Sequence, residues 1–278
     1  MSGLLAIHRF FMQLALVAAL AVPLPAAADW LDLRRQGPTA VVAAAHKAAA
    51  PLPWLATYSA TLPSSHPLHG LKLTVARAPG PKGSPGPGPM LLRFEAPASL
   101  RGVGVTVQAG KAWLRLPGQK AAQIMTPEAL FATVAQIGVP LAVFLVPDLV
   151  LPPPAQAKGK SSAAQVPLYD LQSEGEFGDF GILRLRPHYE AGPGLQPMKA
   201  GVSKAFHVFA LAEVTDLQGK AVAGALWLDP ALEDGLVAFS RLRLRPAAGD
   251  PAALELERTD LRQGKAAGRL VFGPKALR

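Results

Sequence analysis

Short segments rich in β-branched and aromatic residues, separated by stretches containing glycine and proline, follow one another along most of this 278-residue chain. Segments of this length and spacing are typical of antiparallel hairpins. In the first half they are predicted at residues 54–62, 71–78, 90–96, 103–107 and 111–116. In the second half they are predicted at residues 181–186, 205–214, 221–228, 236–245, 253–262 and 269–272. The pattern predicts a sheet of about ten strands.

Polar and apolar side chains alternate in one of these segments, where Arg93 and Glu95 separate Leu92, Phe94 and Ala96. Successive side chains of a strand point to opposite faces of a sheet. One face of this sheet is therefore expected to be buried and the other to be hydrated.

Two segments have the composition and the end signals of helices. Residues 39–50 are rich in alanine and are followed by Pro51 and Pro53, which end a helix. A second helix is predicted to begin at the N-cap Thr126, with a proline and a glutamate in its first turn, and to end at Gly138. A further apolar run follows it at 141–151, so two or three helices are expected beside the sheet.

The first 28 residues are arranged like a secretory signal peptide. Basic residues precede an apolar run at 10–22, which is shorter than the roughly 20 residues of a membrane span. We predict cleavage after Ala28 and a periplasmic location; an uncleaved N-terminal anchor is the alternative. Residues 29–278 are then predicted to form a single domain, with a loop at 78–89 and a linker-like insertion at 152–166.

The chain contains no cysteine, which excludes disulfide bonds, thiolate metal sites and lipid attachment through cysteine. Its 28 lysines and arginines outnumber its 19 acidic residues. Arginines recur at every second position within 184–186 and 241–245, which places each set on one face of its strand. Such faces are expected either to contact anionic lipid headgroups transiently or to form a solvated exterior. No recognition motif for nucleic acid accompanies the charge, so nucleic acid is not an expected partner.

The sequence has no nucleophile elbow, zinc-protease helix motif, phosphate loop or dinucleotide fingerprint. His66 and His69 have a spacing that can hold a metal, but no third ligand lies near them in the sequence. Glu174, Glu176 and Asp179 occur in a glycine-rich stretch and are predicted to lie at a solvated turn. We therefore expect no catalytic residue, metal or cofactor; a hydrolase with an unrecognised site is the enzymatic alternative.

Three short motifs occur in order in the first half of the chain: LLRFEAP at 91–97, LRGV at 100–103 and AWLRLPG at 112–118. This succession resembles the motif order of the LolA/LolB-like periplasmic carriers, which include the outer-membrane lipoprotein-sorting proteins. The resemblance lies mainly within 88–150, with a weaker likeness of strands and turns from 168 onward. It implies an α+β fold in which a curved antiparallel sheet forms an incomplete β-barrel and two or three helices cover the open side.

What the resemblance implies for function is a carrier of lipid, or of the acyl chains of a lipoprotein, between the inner and outer membranes. An inner-membrane transporter would load it, and an outer-membrane acceptor would receive the cargo. Burial of about 14 to 16 carbons at roughly 0.8 kcal/mol per methylene would supply useful affinity.

The predicted lipid-binding residues are Leu92, Phe94, Leu116, Phe131, Val134, Phe144, Leu145, Phe206 and Trp227. The alternative for each residue is plain core packing. The alternative for the protein is a non-enzymatic sensor or scaffold subunit of a cell-envelope complex.

Overall fold

The computed structural model describes residues 29–80, 88–108, 111–126, 169–189, 195–245 and 254–278. Within these ranges the chain forms two helices, α1 (Trp30–Gln36) and α2 (Pro38–Ala49), and three short 3₁₀ helices at Ala98–Leu100, Gly264–Ala267 and Pro274–Leu277. The strands are β1 (Trp54–Ser59), β2 (Lys72–Arg77), β3 (Met90–Ala96), β4 (Gly104–Gln108), β5 (Lys111–Arg115), β6 (Gln123–Met125), β7 (Tyr169–Phe177), β8 (Phe180–Pro187), β9 (Met198–Ser203), β10 (Phe209–Thr215), β11 (Ala221–Glu233), β12 (Leu236–Arg245) and β13 (Leu254–Gln263). Neither of the two helices is long and apolar enough to cross a membrane.

All of these strands belong to one antiparallel sheet with the order β6-β5-β4-β3-β2-β1-β13-β12-β11-β10-β9-β8-β7. Neighbours in the sheet are also neighbours in the chain, except where β1 pairs with β13 and so joins the two halves. Within the described ranges the edge strands β6 and β7 do not pair with each other, so the sheet is open. The predicted antiparallel sheet is confirmed.

The sheet curves around α2. Val41 of α2 faces the same small cleft as Ile182 of β8, whereas the Ala49 carbonyl, at the other end of α2, accepts a 3.0 Å hydrogen bond from Trp54 Nε1 of β1. The two helix residues are eight positions apart, about 12 Å along the helix axis. Strands β8 and β1 are six places apart in the sheet, which would be about 29 Å if the sheet were flat. Only a strongly curved sheet brings both strands to one short helix.

A C-terminal segment covers the outer face of the first five strands. Leu277 is 1% exposed and packs in a small apolar cluster with Leu91 and Trp113. Arg93 Nη1 donates to the Ala276 carbonyl at 3.0 Å, and Arg115 Nη1 donates to the Leu277 carbonyl at 2.6 Å. The main core lies on the opposite, inner face, so the sheet is buried on both sides in this region.

Helix α1 is fixed to the sheet by Trp30. A Cβ built on Gly181 of β8 would lie 2.0 Å from the Trp30 indole, so only glycine lets the ring lie against the strand. Trp30 Nε1 and Arg34 Nη1 each donate to Glu176 Oε1 at 3.1 Å, and the hydrogen bond from Trp30 leads the causes that lower the pKa of Glu176. Glu176 and its neighbour Glu174 are exposed as predicted but lie in β7 rather than in a turn, whereas Asp179 lies in the turn between β7 and β8.

The structure confirms most of the predicted strands within the described residues but corrects two of them. The strand predicted at 205–214 begins only at Phe209, because a turn precedes it and His207 has a left-handed φ of 52°. Residues 269–272 form no strand; Phe272 packs in the outer apolar cluster instead.

Helix α2 confirms the helix predicted at 39–50, whereas α1, β6, β7 and β9 were not predicted. The signal peptide, the body of the second predicted helix (127–138), the apolar run at 141–151, the insertion at 152–166 and the centre of the loop at 78–89 lie outside the described residues.

Candidate binding cavity

A partly open cavity lies between the C-terminal end of α2 and the inner faces of strands near the middle of the sheet. The cavity volume is about 70 Å³. The lining residues are Ala49, Trp54, Ala56, Tyr58, Val75, Arg77, Met90, Val208, Phe209, Trp227, Leu236, Val237, Ala238, Phe239, Arg258 and Leu261.

Small side chains at inner positions leave this space unfilled. Ala56 of β1 and Ala238 of β12 are buried and face the cavity, where a larger residue would fill it. A few strands away Leu92 and Phe94 of β3 occupy inner positions and are completely buried, so that side chains fill that part of the inner face. The cavity is therefore a local property of the sequence around β1, β12 and β13.

A register shift in the pairing of β1 with β13 brings a charged residue into this apolar surface. Thr57 pairs with Asp260, but the next residue, Tyr58, pairs with Arg258 rather than with residue 259. The extra residue in β13 lets Arg258 and Leu261 both line the cavity although they are three positions apart. A regular strand would turn one of them to the outer face.

Four polar side chains lie at or reach the cavity. Arg258 Nη2 donates to Glu233 Oε1 at 2.6 Å, and Glu233 comes from the end of the long β11–β12 hairpin. Arg258 Nη1 is buried and has no hydrogen-bond partner among the described residues. Arg77 Nη2 donates to Met90 Sδ at 3.2 Å, and Tyr58 Oη donates to the Phe239 carbonyl at 3.2 Å. The cavity is thus apolar over most of its wall, with two guanidinium groups.

Burial raises the pKa of Tyr58 to about 12, an effect that Arg258 opposes and Glu233 reinforces. The phenol therefore remains neutral over the whole physiological range and acts as a hydrogen-bond donor. Tyr58 adds no negative charge that could neutralise the neighbouring arginine.

We expect Tyr58→Phe to lower the free energy of unfolding at pH 7 by about 1 kcal/mol, because the bond to Phe239 is lost. The difference in unfolding free energy between the wild type and Tyr58→Phe should shrink as the pH rises from 10 towards 12. In that interval the unfolded wild type has lost the phenolic proton and the folded wild type still holds it, so wild-type stability falls with pH. Urea unfolding at several pH values measures this, with Tyr189→Phe on an exposed ring as the control. A difference that stays constant from pH 9 to 11.5 would contradict the assignment.

The structure separates the predicted lipid-binding residues into three groups. Trp227 lines the cavity. Leu92 and Phe94 lie on the same inner face but are fully buried in the core, and Leu116 and Phe206 are half-buried away from the cavity lining. Phe131, Val134, Phe144 and Leu145 lie outside the described residues. The prediction of these residues as a lipid site stays a prediction.

Sequence reasoning missed Arg258, Tyr58 and Ala238. A signal for the first was present, since Leu254 and Leu256 precede Arg258 at a spacing of two and predict an inward-facing position for it. An arginine in the buried register of a strand is unusual and marks a special site. No sequence signal marks Ala238 in this way, because alanine is abundant throughout the chain.

The other polar groups that the sequence singled out take part in local structure. His66 Nδ1 accepts a hydrogen bond from the Leu68 backbone at 3.0 Å, and His69 Nδ1 lies 2.8 Å from the Leu62 carbonyl. In the part of the chain that the structure describes, no three histidine or acidic side chains are grouped as a metal site.

The arginine faces of the sheet carry carboxylates as well. Arg184 pairs with Glu174, and Arg243 Nε donates to Glu255 Oε1 at 2.7 Å. Arg241 pairs with Asp229. These ion pairs favour the interpretation of a solvated exterior over that of a headgroup-binding face.

The chain resembles several solved structures at low sequence identity. A LolA superfamily protein from Nitrosomonas europaea shares 13% identity at a TM-score of 0.44, over 80% of this chain and 90% of that one. A putative outer membrane lipoprotein-sorting protein domain from Vibrio parahaemolyticus shares 14% identity at a TM-score of 0.47, over 80% of this chain and 90% of that one. A DUF1329 family protein from Desulfovibrio piger shares 14% identity at a TM-score of 0.47, over 76% of this chain and 83% of that one. No protein-family model and no curated protein matches the chain. Two of these structures are described as LolA-like or lipoprotein-sorting proteins, the group that the motifs at 91–118 resemble.

Proposed function

We propose that this protein is a periplasmic carrier that binds an acyl chain, of a lipid or of a lipoprotein, in the cavity between α2 and the central strands, for transfer between the inner and outer membranes. The observation that carries the proposal is the unfilled apolar space bounded by Trp54, Trp227 and Phe239. Water in such a space gains few hydrogen bonds, so replacing it with methylene groups is favourable.

The lining residues range from Ala49 at the end of α2 to Val237 of the β11–β12 hairpin, and most of them are apolar. Burial contributes about 0.8 kcal/mol per methylene, so a partly enclosed chain of ten carbons already gains roughly 8 kcal/mol before the entropic cost of binding. A net gain of about 8 kcal/mol corresponds to a Kd of about 1 μM, so after the entropic cost ten buried carbons alone should bind more weakly than this, and longer chains more tightly than ten carbons.

The inner face of β3 favours the second candidate, a non-enzymatic sensor or scaffold of the cell envelope. Leu92 and Phe94 are completely buried, so the protein fills much of its own concave face with side chains. In a scaffold, the remaining cavity would be only a packing gap and would bind nothing. The two candidates differ in whether an apolar probe occupies that gap.

The test is titration of the purified protein with the apolar fluorescent probe N-phenyl-1-naphthylamine. We expect saturable binding at one site, and we expect Ala238→Phe to weaken it at least tenfold because the new ring occupies the cavity. The matched control is Ala121→Phe, which places the same ring at an exposed residue outside the cavity lining. Circular dichroism verifies that each variant is folded. No saturable binding to folded wild type, or unchanged binding to folded Ala238→Phe, would overturn the proposal.

A further inference from the structure

The cavity lies where strands β12 and β13 separate. Among the described residues the two strands pair from Arg241 to Leu244 of β12 and no further towards the β11–β12 turn. Beyond that point β13 continues along β1, whereas residues 236–240 of β12 continue along β11. The pairing of β10 with β11 also stops, at Leu226. Residues 228–240, here called the outer hairpin, are therefore joined to the described sheet through their base.

The outer hairpin forms one wall of the cavity. Leu236 and Ala238 line the cavity from this side, and Arg258 and Leu261 of β13 line it from the other side of the separation. Residues 229–232 of the same hairpin are exposed to solvent. Movement of the outer hairpin away from β13 would therefore open the cavity without disturbing the pairing of any other described strand.

Besides the packing of Leu236, two polar contacts in the described chain hold the outer hairpin against β13 and β1. Glu233 Oε1 accepts from Arg258 Nη2 at 2.6 Å, and the Phe239 carbonyl accepts from Tyr58 Oη at 3.2 Å. The side chain of Glu233 is 36% exposed, so water reaches the ion pair. Ion pairs that water reaches are weak enough to break and re-form readily.

The cavity in this closed arrangement is too small for an acyl chain. One water molecule needs roughly 10–15 Å³ of cavity volume, so a volume of about 70 Å³ holds roughly five to seven groups of that size. A chain of ten carbons exceeds this number, and one wall must move before it can enter. β1 and β2 are each paired on both sides and are poor candidates for that wall, whereas the outer hairpin is held by its base and by the contacts named above.

We propose that the outer hairpin is a gate that moves away from β13 to admit the acyl chain, and that the ion pair between Glu233 and Arg258 is the latch that keeps the gate closed. This inference rests on the proposed function and names how access to its site is controlled. Asp229, at the base of the outer hairpin, has a left-handed φ of 52° and interrupts the ladder between β11 and β12. Such an irregular position is where a hinge is expected.

Hydrogen exchange of the ligand-free protein tests the latch without any cargo. In the wild type we expect the amides of residues 228–240 to exchange about tenfold faster than those of residues 241–245, which pair with β13 as well as β11. Glu233→Gln should speed exchange in the outer hairpin by a further factor of about three or more and leave residues 241–245 unchanged. Asp234→Asn is the matched control, because it removes the same charge from the adjacent exposed residue and should exchange like the wild type.

Should Glu233→Gln fail to fold, the double variant Glu233→Gln/Arg258→Met leaves no uncompensated guanidinium, and it should speed exchange in the same residues. Exchange in the outer hairpin that is no faster than in residues 241–245, or that stays at the wild-type rate in the folded latch variant, overturns the inference.

Locking the hairpin tests whether it admits cargo. Because the chain has no cysteine, Glu233→Cys/Arg258→Cys can be joined specifically by a bismaleimide about as long as the two side chains that it replaces. The joined protein should take up N-phenyl-1-naphthylamine about tenfold more slowly, or not at all, compared with the same variant capped at each cysteine by N-ethylmaleimide. If folded wild type binds no dye, the proposed function fails and the gate has no cargo to admit. If wild type binds the dye and the joined protein takes it up as fast as the capped one, the carrier function stands and the gate is overturned.

Discussion

Replacement of Phe94 by alanine is expected to lower the free energy of unfolding by about 3–5 kcal/mol, the range found for large aromatic residues truncated in a well-packed core. Phe94 is 0% exposed and lies in the main core, with Leu73 opposite it on the neighbouring strand. The truncation removes a whole ring from the main core. Urea unfolding followed by circular dichroism measures the change.

The control for Phe94→Ala is Phe177→Ala. Phe177 is 75% exposed at the turn between β7 and β8, and its truncation should change the free energy of unfolding by no more than about 0.5 kcal/mol. Folded Phe94→Ala should also keep the dye affinity of the wild type, because Phe94 does not line the cavity. A loss below 1 kcal/mol, accompanied by loss of dye binding, would show that Phe94 lines a binding space rather than the core.

The second large effect is expected at the C-terminal segment. Leu277→Asp should lower the free energy of unfolding by about 4 kcal/mol or more, because it removes a buried apolar side chain and places a carboxylate in its position. Leu277 is 1% exposed, and Arg115 binds its backbone carbonyl, not its side chain. Thermal and urea unfolding of the variant give the measurement.

Leu277→Met keeps the volume and the apolar character, and it should cost less than about 1.5 kcal/mol. If Leu277→Asp is as stable as Leu277→Met, the segment is not docked against β4 and β5, and the two arginine contacts with residues 276 and 277 are not maintained in solution.

The antiparallel sheet could be predicted because its signal is local. Alternation in Leu92, Arg93 and Phe94 depends only on the two faces of a strand, and turns rich in glycine and proline separate one strand from the next. β11 shows the limit of this signal. It was predicted to end at Leu228, yet it continues through Asp229-Pro230 to Glu233 as the long hairpin that bears the partner of Arg258.

β7 and β9 were missed for a related reason. β7 shows apolar alternation only at Tyr169 and Leu171, and a register shift follows between Ser173 and Gly175, so its strand character comes from pairing with β8 rather than from its own pattern. Helix α1 was missed because seven residues give too little periodicity to identify, and its position depends on Trp30 packing against Gly181, which are 151 positions apart. Such contacts exist only after the sheet has formed.

The cavity was only partly predictable. Sequence periodicity identified the inner face correctly, which is why Leu92 and Phe94 were chosen together with Trp227. It could not distinguish an inner position that is filled from one that borders a gap, because that depends on which small residues meet across several strands. Ala56 and Ala238 come from opposite halves of the chain and meet only through the pairing of β1 with β13 and of β13 with β12.

The four tryptophans allow the central claim, that an acyl chain lies between α2 and the central strands, to be tested directly. Trp54 and Trp227 line the cavity, whereas Trp30 lies against β8 and Trp113 packs on the outer face of the sheet. Bromine on an acyl chain quenches indole fluorescence only at close range. Bromine-labelled hexadecanoate should therefore quench the double variant Trp30→Phe/Trp113→Phe strongly and saturably, and should leave Trp54→Phe/Trp227→Phe almost unquenched. Equal quenching of the two variants, or none in either, would contradict the account.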